Sequence, residues 1–145
     1  MKEVEREEHF IFATIMLLAN RFQTKLDKYM GDLTLKQWLL LCMSSQFDKE
    51  EINVNELAAF VGYTRQNIKK IVDILVKKEY MDIEKSEKDK RSYNVKLTKK
   101  AYSYFSEFEN LGDELLMKIF KGTSQDELTV TAKTLMKLLD NIEKV

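Results

Sequence analysis

"NVNELAAFVGYTRQNIKKIVDILVKKEYM", residues 53–81, decides how the rest of the chain is read. Leu57, Ala58, Phe60 and Val61 supply the inward face of a short helix over 56–61, with Asn53 or Asn55 as its cap. Gly62-Tyr63 reads as a tight turn. Thr64 then offers a hydroxyl to cap a second helix, in which Ile68, Ile71, Val72, Leu75 and Val76 recur at helical spacing. The other face of that helix carries Arg65, Gln66, Asn67, Lys69, Lys70 and Asp73. Arginine pairs bidentately with guanine, and Asn or Gln with adenine, so the start of this helix has the side chains that read base edges in a major groove. A short helix, a tight turn and a polar-faced helix make a helix-turn-helix.

A hairpin follows at once. "EYMDIEK" places Tyr80, Met81 and Ile83 as the apolar residues of one strand, and "YNVKL", residues 93–97, alternates as its antiparallel partner. Between them lies "SEKDKR", without the Asn-Gly or Gly of a two-residue turn, so a loop of about six residues is expected. Lys88, Lys90 and Arg91 crowd its tip, with Asp89 among them. This is either a solvated turn or a finger that touches a polyanion.

Outward from this centre the chain is helical. It contains no proline and only four glycines, so the strongest helix breakers are scarce. Residues 3–30 read as one long helix ended by Gly31-Asp32. Its apolar residues spread over more than one stripe, which suggests contact with a second body. Thr34 caps a second helix, nearly all apolar from Trp38 to Met43 and so expected to be buried on most sides. Ile52 and Val54 suggest a very short strand. Thr98 caps a helix over 99–121, Gly122 stops it, and Ser124 with Glu127 forms a capping box for a last helix over 125–144.

The 145 residues fit one domain or two joined subdomains, and 44% hydrophobic residues suffice for a core. Net charge is zero, but residues 62–100 hold twelve cations against six acids, leaving twelve against eighteen elsewhere. A basic middle between acidic ends suggests that the middle meets an anionic partner. Cys42 alone excludes an internal disulfide, and His9 as the single histidine argues against a metal site. No run approaches the roughly 18 apolar residues of a membrane span. The acidic flank "EVEREEH" before Ile11–Ala19 is unlike a secretory leader, so a cytoplasmic location is expected. No phosphate-binding glycine loop and no nucleophile with a base is present, so neither catalysis nor a cofactor is expected.

The chain resembles the MarR-type winged helix-turn-helix transcriptional regulators over essentially its whole length. "LTLKQWLLL" is similar to the opening of the family's second helix, residues 53–81 to its helix-turn-helix, and "KDKRSYNVKLTKKA" to its wing, with an Asp two residues before an Arg and a strand ending in Leu-Thr. The resemblance implies a mainly α fold with a small antiparallel β-hairpin. In it a winged helix-turn-helix over 33–100 would join a helical dimerisation region over 1–32 and 101–145. It implies a recognition helix over about 64–78 and a wing over about 84–94. It implies a homodimer on double-stranded DNA, of repressor type, that reads a pseudo-palindromic operator and is open to relief by a small aromatic or lipophilic effector. Arg91 would be the wing arginine that reaches the minor groove, Asp89 the acid that steadies it, and Lys90 stands where many members carry a further Arg. Two positions depart from the family pattern. Glu79 replaces a usual Gly after the recognition helix, where a left-handed exit costs a non-glycine residue about 1 kcal/mol, which leaves the helix exit open. Ala101 replaces a Gly after Leu-Thr and favours helix.

Candidate DNA contacts are therefore Thr64, Arg65, Gln66, Asn67, Lys69 and Lys70 on the helix, and Lys88, Asp89, Lys90 and Arg91 on the wing. The plain reading of each is a solvated face or a cap. Phe12, Met16, Trp38 and Met43 are candidates for the effector cleft that the resemblance implies; their plain reading, like that of Tyr29, is core. Cys42 reads as a buried, inert thiol. The rival function is a winged-helix protein–protein adaptor that does not read DNA sequence.

Overall fold

The computed structural model describes residues 6–145. Its elements run α1 Glu7–Leu26, a 3-10 turn Asp27–Tyr29, α2 Leu35–Ser44, β1 Ile52–Asn53, α3 Val54–Val61, α4 Arg65–Lys77, β2 Met81–Lys85, β3 Tyr93–Leu97, α5 Lys99–Ile119 and α6 Gln125–Ile142. The fold is mainly helical with a small antiparallel sheet, as expected. The first helix is shorter than the expected 3–30, and the positions assigned to it before Arg6 lie outside the described residues. Two compact units divide the chain, one ending at Ser106 and the other Glu107–Val145.

Local chemistry fixes the ends of the helices in the first unit. Thr34 Oγ1 accepts from the Gln37 amide at 3.2 Å while Gln37 Oε1 accepts from the Thr34 amide at 3.1 Å, a reciprocal capping box. Asn53 caps α3 by accepting from the Asn55 amide at 2.9 Å. That helix ends at Gly62, left-handed at φ +71°, with Gly62 N–H donating to Ala59 and Tyr63 N–H donating to Ala58. These paired bonds satisfy the last carbonyls of α3 and turn the chain sharply into α4.

The exit of α4 has the same geometry without the glycine. Glu79 adopts φ +67°, its amide donates to Val76 O at 3.0 Å, and the Tyr80 amide donates to Leu75 O at 2.8 Å. The question left by a non-glycine residue here thus resolves in favour of the left-handed exit. The neighbouring carbonyls are held from outside the helix. Thr98 Oγ1 donates to Glu79 O at 2.7 Å, and Lys100 Nζ donates to Lys78 O at 2.7 Å. A backbone fixed by that many partners tolerates the cost of an unfavourable φ.

The sheet has three strands in the order β1-β3-β2, all antiparallel. The short β1 adds to the expected hairpin by pairing Ile52 with Val95. Met81 faces Leu97 and Ile83 faces Val95 across β2 and β3. Ile52, Met81, Val95 and Leu97 turn to one buried face while Lys96 turns outward. The core of this unit gathers those residues with Leu40, Leu41, Leu57, Ile68, Val72 and Leu75. Tyr104, on the first half of α5, is buried and donates its hydroxyl to Met30 O at 2.7 Å.

Three burial expectations need correction. Phe60 is 57% exposed and meets Phe47 edge-on at 5.2 Å between ring centres. An eight-residue helix has room for one inward stripe, and Val54, Leu57 and Ala58 take it. In α2 only Gln37, Leu40, Leu41 and Ser44 are buried, and Leu39 is exposed, so one face of this apolar helix is open. Phe12, Met16 and Tyr29 are exposed and do not belong to the core.

In the second unit, Ser124 and Glu127 form the expected capping box. Ser124 Oγ accepts from the Glu127 amide at 3.2 Å, and the Ser124 amide donates to Glu127 Oε2 at 2.7 Å. No residue of α6 is buried, although Val130, Leu135, Met136, Leu138, Leu139 and Ile142 lie along it.

Candidate nucleic-acid interface

Thr64 Oγ1 accepts from the Asn67 amide at 3.2 Å and starts α4 where Gly62 has turned the chain. Burial of Ile68, Val72 and Leu75 leaves Arg65, Gln66, Asn67, Lys69 and Lys70 exposed. The side chains at the helix start are not equally free. Arg65 Nε donates to Asn55 Oδ1 at 3.0 Å. Lys69 Nζ pairs with Asp73 at 2.8 Å and lies 5.3 Å from the centre of the Tyr93 ring on β3. The hydrogen bond to Asp73 holds the Lys69 ammonium above its ordinary range. Lys69 thus spans α4 and the wing strand as an already paired cation.

The wing loop, residues 86–92, carries its own hydrogen bonds. The Ser86 amide donates to Ser92 O at 2.9 Å, and the Ser92 amide donates to Asp89 O at 2.9 Å. The Asp89 amide donates to Ser86 Oγ at 3.3 Å, and the Arg91 amide donates to Asp89 Oδ1 at 3.0 Å. Ser86 and Ser92 are buried while Lys88, Asp89, Lys90 and Arg91 are exposed. Asp89 therefore steadies Arg91 through its backbone, and among the described residues no ion pair joins the two side chains. A short side chain directly before a turn reaches the amide two residues on more readily than a guanidinium that extends to solvent.

The base of the wing holds a polar cluster that periodicity does not reveal. Asn53 Nδ2 donates to Ser92 Oγ at 2.6 Å, and Asn55 Nδ2 donates to the same oxygen at 3.4 Å. The signal in the sequence is "NVN" before α3: two asparagines compete for one cap, so one is left for other work. The amide of Asn55 is capped by Asn53, which frees the Asn55 side chain to face Arg65 and Ser92.

The cleft candidates differ in exposure. Phe12 is 71% exposed, Met16 is exposed, and Trp38 and Met43 are half-buried. An open pocket of about 110 Å³ lies elsewhere in the first unit, lined by residues including Ser44, Phe47, Ile52, Lys96 and Tyr102. That is well below the roughly 300 Å³ at which drug-sized sites begin. Cys42 is half-buried, and burial pushes its thiol up to about 11. His9 is exposed on α1. Among the described residues no group of three His, Cys, Asp or Glu could hold a metal ion, and no helix is long and apolar enough to cross a membrane.

Residues 33–93 match the MarR family model, a span that opens before α2 and closes at the start of β3. The transcriptional repressor MprA of Escherichia coli K12 is 25% identical over 151 residues, covering 96% of this chain and 85% of the relative. A mutant MarR from Escherichia coli complexed with operator DNA shares the fold at a TM-score of 0.77 and 22% identity, over 95% of this chain and 99% of the other. So does the organohalide-sensing transcriptional regulator RdhR in its 2,4-dichlorophenol-bound form, at a TM-score of 0.79 and 17% identity, over 97% of this chain and 86% of the other. The match to the family model over the helix-turn-helix and wing, with the shared fold over nearly the whole chain, supports a winged helix-turn-helix protein similar to the MarR family of transcriptional regulators.

Proposed function

We propose that this chain is a homodimeric, sequence-specific DNA-binding transcriptional repressor without catalytic activity, acting in the cytoplasm. One observation carries the reading. The base-reading residues Arg65, Gln66 and Asn67 stand exposed at the start of a well-packed helix, beside a wing whose exposed tip is Lys88, Lys90 and Arg91. Thr64, Lys69 and Lys70 line the same helix face, and Asp89 sets the loop that presents Arg91. Helix N-termini at base edges and arginines on a wing divide the work between the major and minor grooves. MprA is a repressor and MarR forms an operator complex, which supports carrying both roles over to this chain.

The dimer would be built from 1–32 and 101–145. Exposed apolar side chains on α1, including Ile11, Ile15 and Leu18, and on α6, including Met136, Leu139 and Ile142, support an interface that a single chain leaves uncovered. Two recognition helices about one turn of DNA apart would then read a pseudo-palindrome. A small aromatic or lipophilic effector would act through Phe12, Met16, Trp38 and Met43 by binding one helix spacing better than another. The ligand of the RdhR structure, a chlorinated phenol, supports that chemical class.

The test is capture of genomic fragments by the purified chain, with sedimentation to give the oligomeric state. Enrichment of a palindromic sequence by a dimer, lost as salt rises, is the expected result. A protein–protein adaptor would enrich no sequence.

A further inference from the structure

Asn55 stands at the start of α3, and the two ends of its side-chain amide face different elements. Its Oδ1 accepts from Arg65 Nε at 3.0 Å on α4, and its Nδ2 donates to Ser92 Oγ at 3.4 Å at the base of the wing. Arginine only donates, so Arg65 fixes which end of the amide faces the helix and which faces the wing. Ser92 is itself anchored: it is 3% exposed and accepts from Asn53 Nδ2 at 2.6 Å. Asn53 belongs to β1, paired with Asn94 of β3. One buried hydroxyl therefore joins the wing strand, the start of α3 and, through Asn55, the guanidinium of Arg65.

This arrangement constrains how Arg65 can act. The guanidinium is planar, so an anchor on Nε sets both its plane and its direction. With Nε engaged, the two terminal nitrogens remain as the outward fork. An arginine already ordered in the free protein loses less rotamer freedom on binding. Phosphate contacts carry no sequence information, whereas base-edge contacts read it. The anchor therefore bears on discrimination between sequences more than on affinity for DNA in general.

We infer that Asn55 is a specificity-determining positioning residue: it sets the guanidinium of Arg65 from the base of the wing, so that Arg65 meets a base edge end-on and in fixed register with Arg91. The inference rests on the DNA-reading function proposed above. Two measurements separate it from that function. In the free protein, the Arg65 Nε–H resonance, assigned by its loss in Arg65→Lys, shifts in Asn55→Ala and also in Ser92→Ala, which does not touch Arg65. On DNA, duplexes are selected by the wild-type chain from a random-sequence pool. Asn55→Ala then loses about tenfold in preference for the best selected duplex over mixed-sequence duplex, with affinity for the latter nearly unchanged. Thermal midpoints of both variants confirm folding. An Arg65 resonance unmoved by Ser92→Ala in a folded chain overturns the link to the wing. Unchanged preference in Asn55→Ala overturns the role in specificity. If the wild-type chain selects no sequence, the DNA-reading function fails and the specificity role with it, while the free-protein resonance still decides whether Asn55 couples Arg65 to the wing.

Discussion

The Asp89 carboxylate accepts a hydrogen bond from the backbone amide of Arg91 at 3.0 Å, and so shapes the loop that carries the arginine rather than neutralising the arginine itself. Asparagine keeps a side-chain oxygen at the same reach, and alanine does not. Asp89→Asn should therefore retain duplex affinity within about threefold at fixed salt, while Asp89→Ala should lose about tenfold, the equivalent of one backbone-shaping hydrogen bond of about 1.4 kcal/mol. Anisotropy titration of a labelled duplex gives both values. Equal losses in the two variants would make Asp89 a charge partner instead.

Not every cation on this face should release counterions. Lys69, Lys70 and Arg91 are all exposed, but Lys69 is already committed to Asp73 at 2.8 Å and to the Tyr93 ring, whereas among the described residues no ion pair engages Arg91 or Lys70. Removing a cation that neutralises one phosphate lowers the dependence of log affinity on log salt by about one. Arg91→Ala and Lys70→Ala should each show that change, with the far-ultraviolet spectrum unchanged. Lys69→Ala should leave the slope nearly constant, because its charge is balanced within the protein. Titrations at four salt concentrations separate these outcomes.

Glu79 is the described non-glycine residue with positive φ, at +67°. Glycine adopts this conformation without a Cβ penalty, which is about 1 kcal/mol for an L side chain, though glycine gives back part of that gain in unfolded-state entropy. Its carbonyl is held by Thr98 Oγ1 at 2.7 Å, a bond that a side-chain deletion leaves in place. Glu79→Gly should raise the thermal midpoint by a few degrees at most. A lowered midpoint would mean that the Glu79 side chain contributes more than its backbone costs.

Much of this architecture is legible in the residues because local rules and burial agree. Ile68, Val72 and Leu75 recur at helical spacing and are all fully buried, and Thr64, Thr34 and Ser124 each cap the helix they precede. Phe60 departs from the inward face expected of it, because hydrophobicity alone does not say which of several apolar residues on a short helix wins that face. Asn55 reads only as a candidate cap, because its link to Arg65 and Ser92 joins residues ten and thirty-seven positions away, brought together only when β3 returns beside β1. Asp89 stands two residues before Arg91, but the spacing of an Asp and an Arg does not say whether the carboxylate takes a backbone amide or a guanidinium as its partner.

Cys42 offers a test of whether the chain could respond to oxidants through this thiol. Burial pushes the group up to about 11, so the thiolate forms only as pH climbs far above the ordinary cysteine range. Sensing cysteines work the other way, with a lowered pKa and ready access. At pH 8 the thiolate fraction should be roughly two hundredfold smaller than that of a free cysteine with pKa about 8.5. Alkylation of the folded chain by iodoacetamide should accordingly rise about tenfold per pH unit from pH 8 to pH 10, in proportion to the thiolate. The same thiol in urea should level off near pH 9, as an unburied cysteine does. A folded-state rate that levels off at that same pH would mean that the thiol is reached by solvent and free to react with an oxidant.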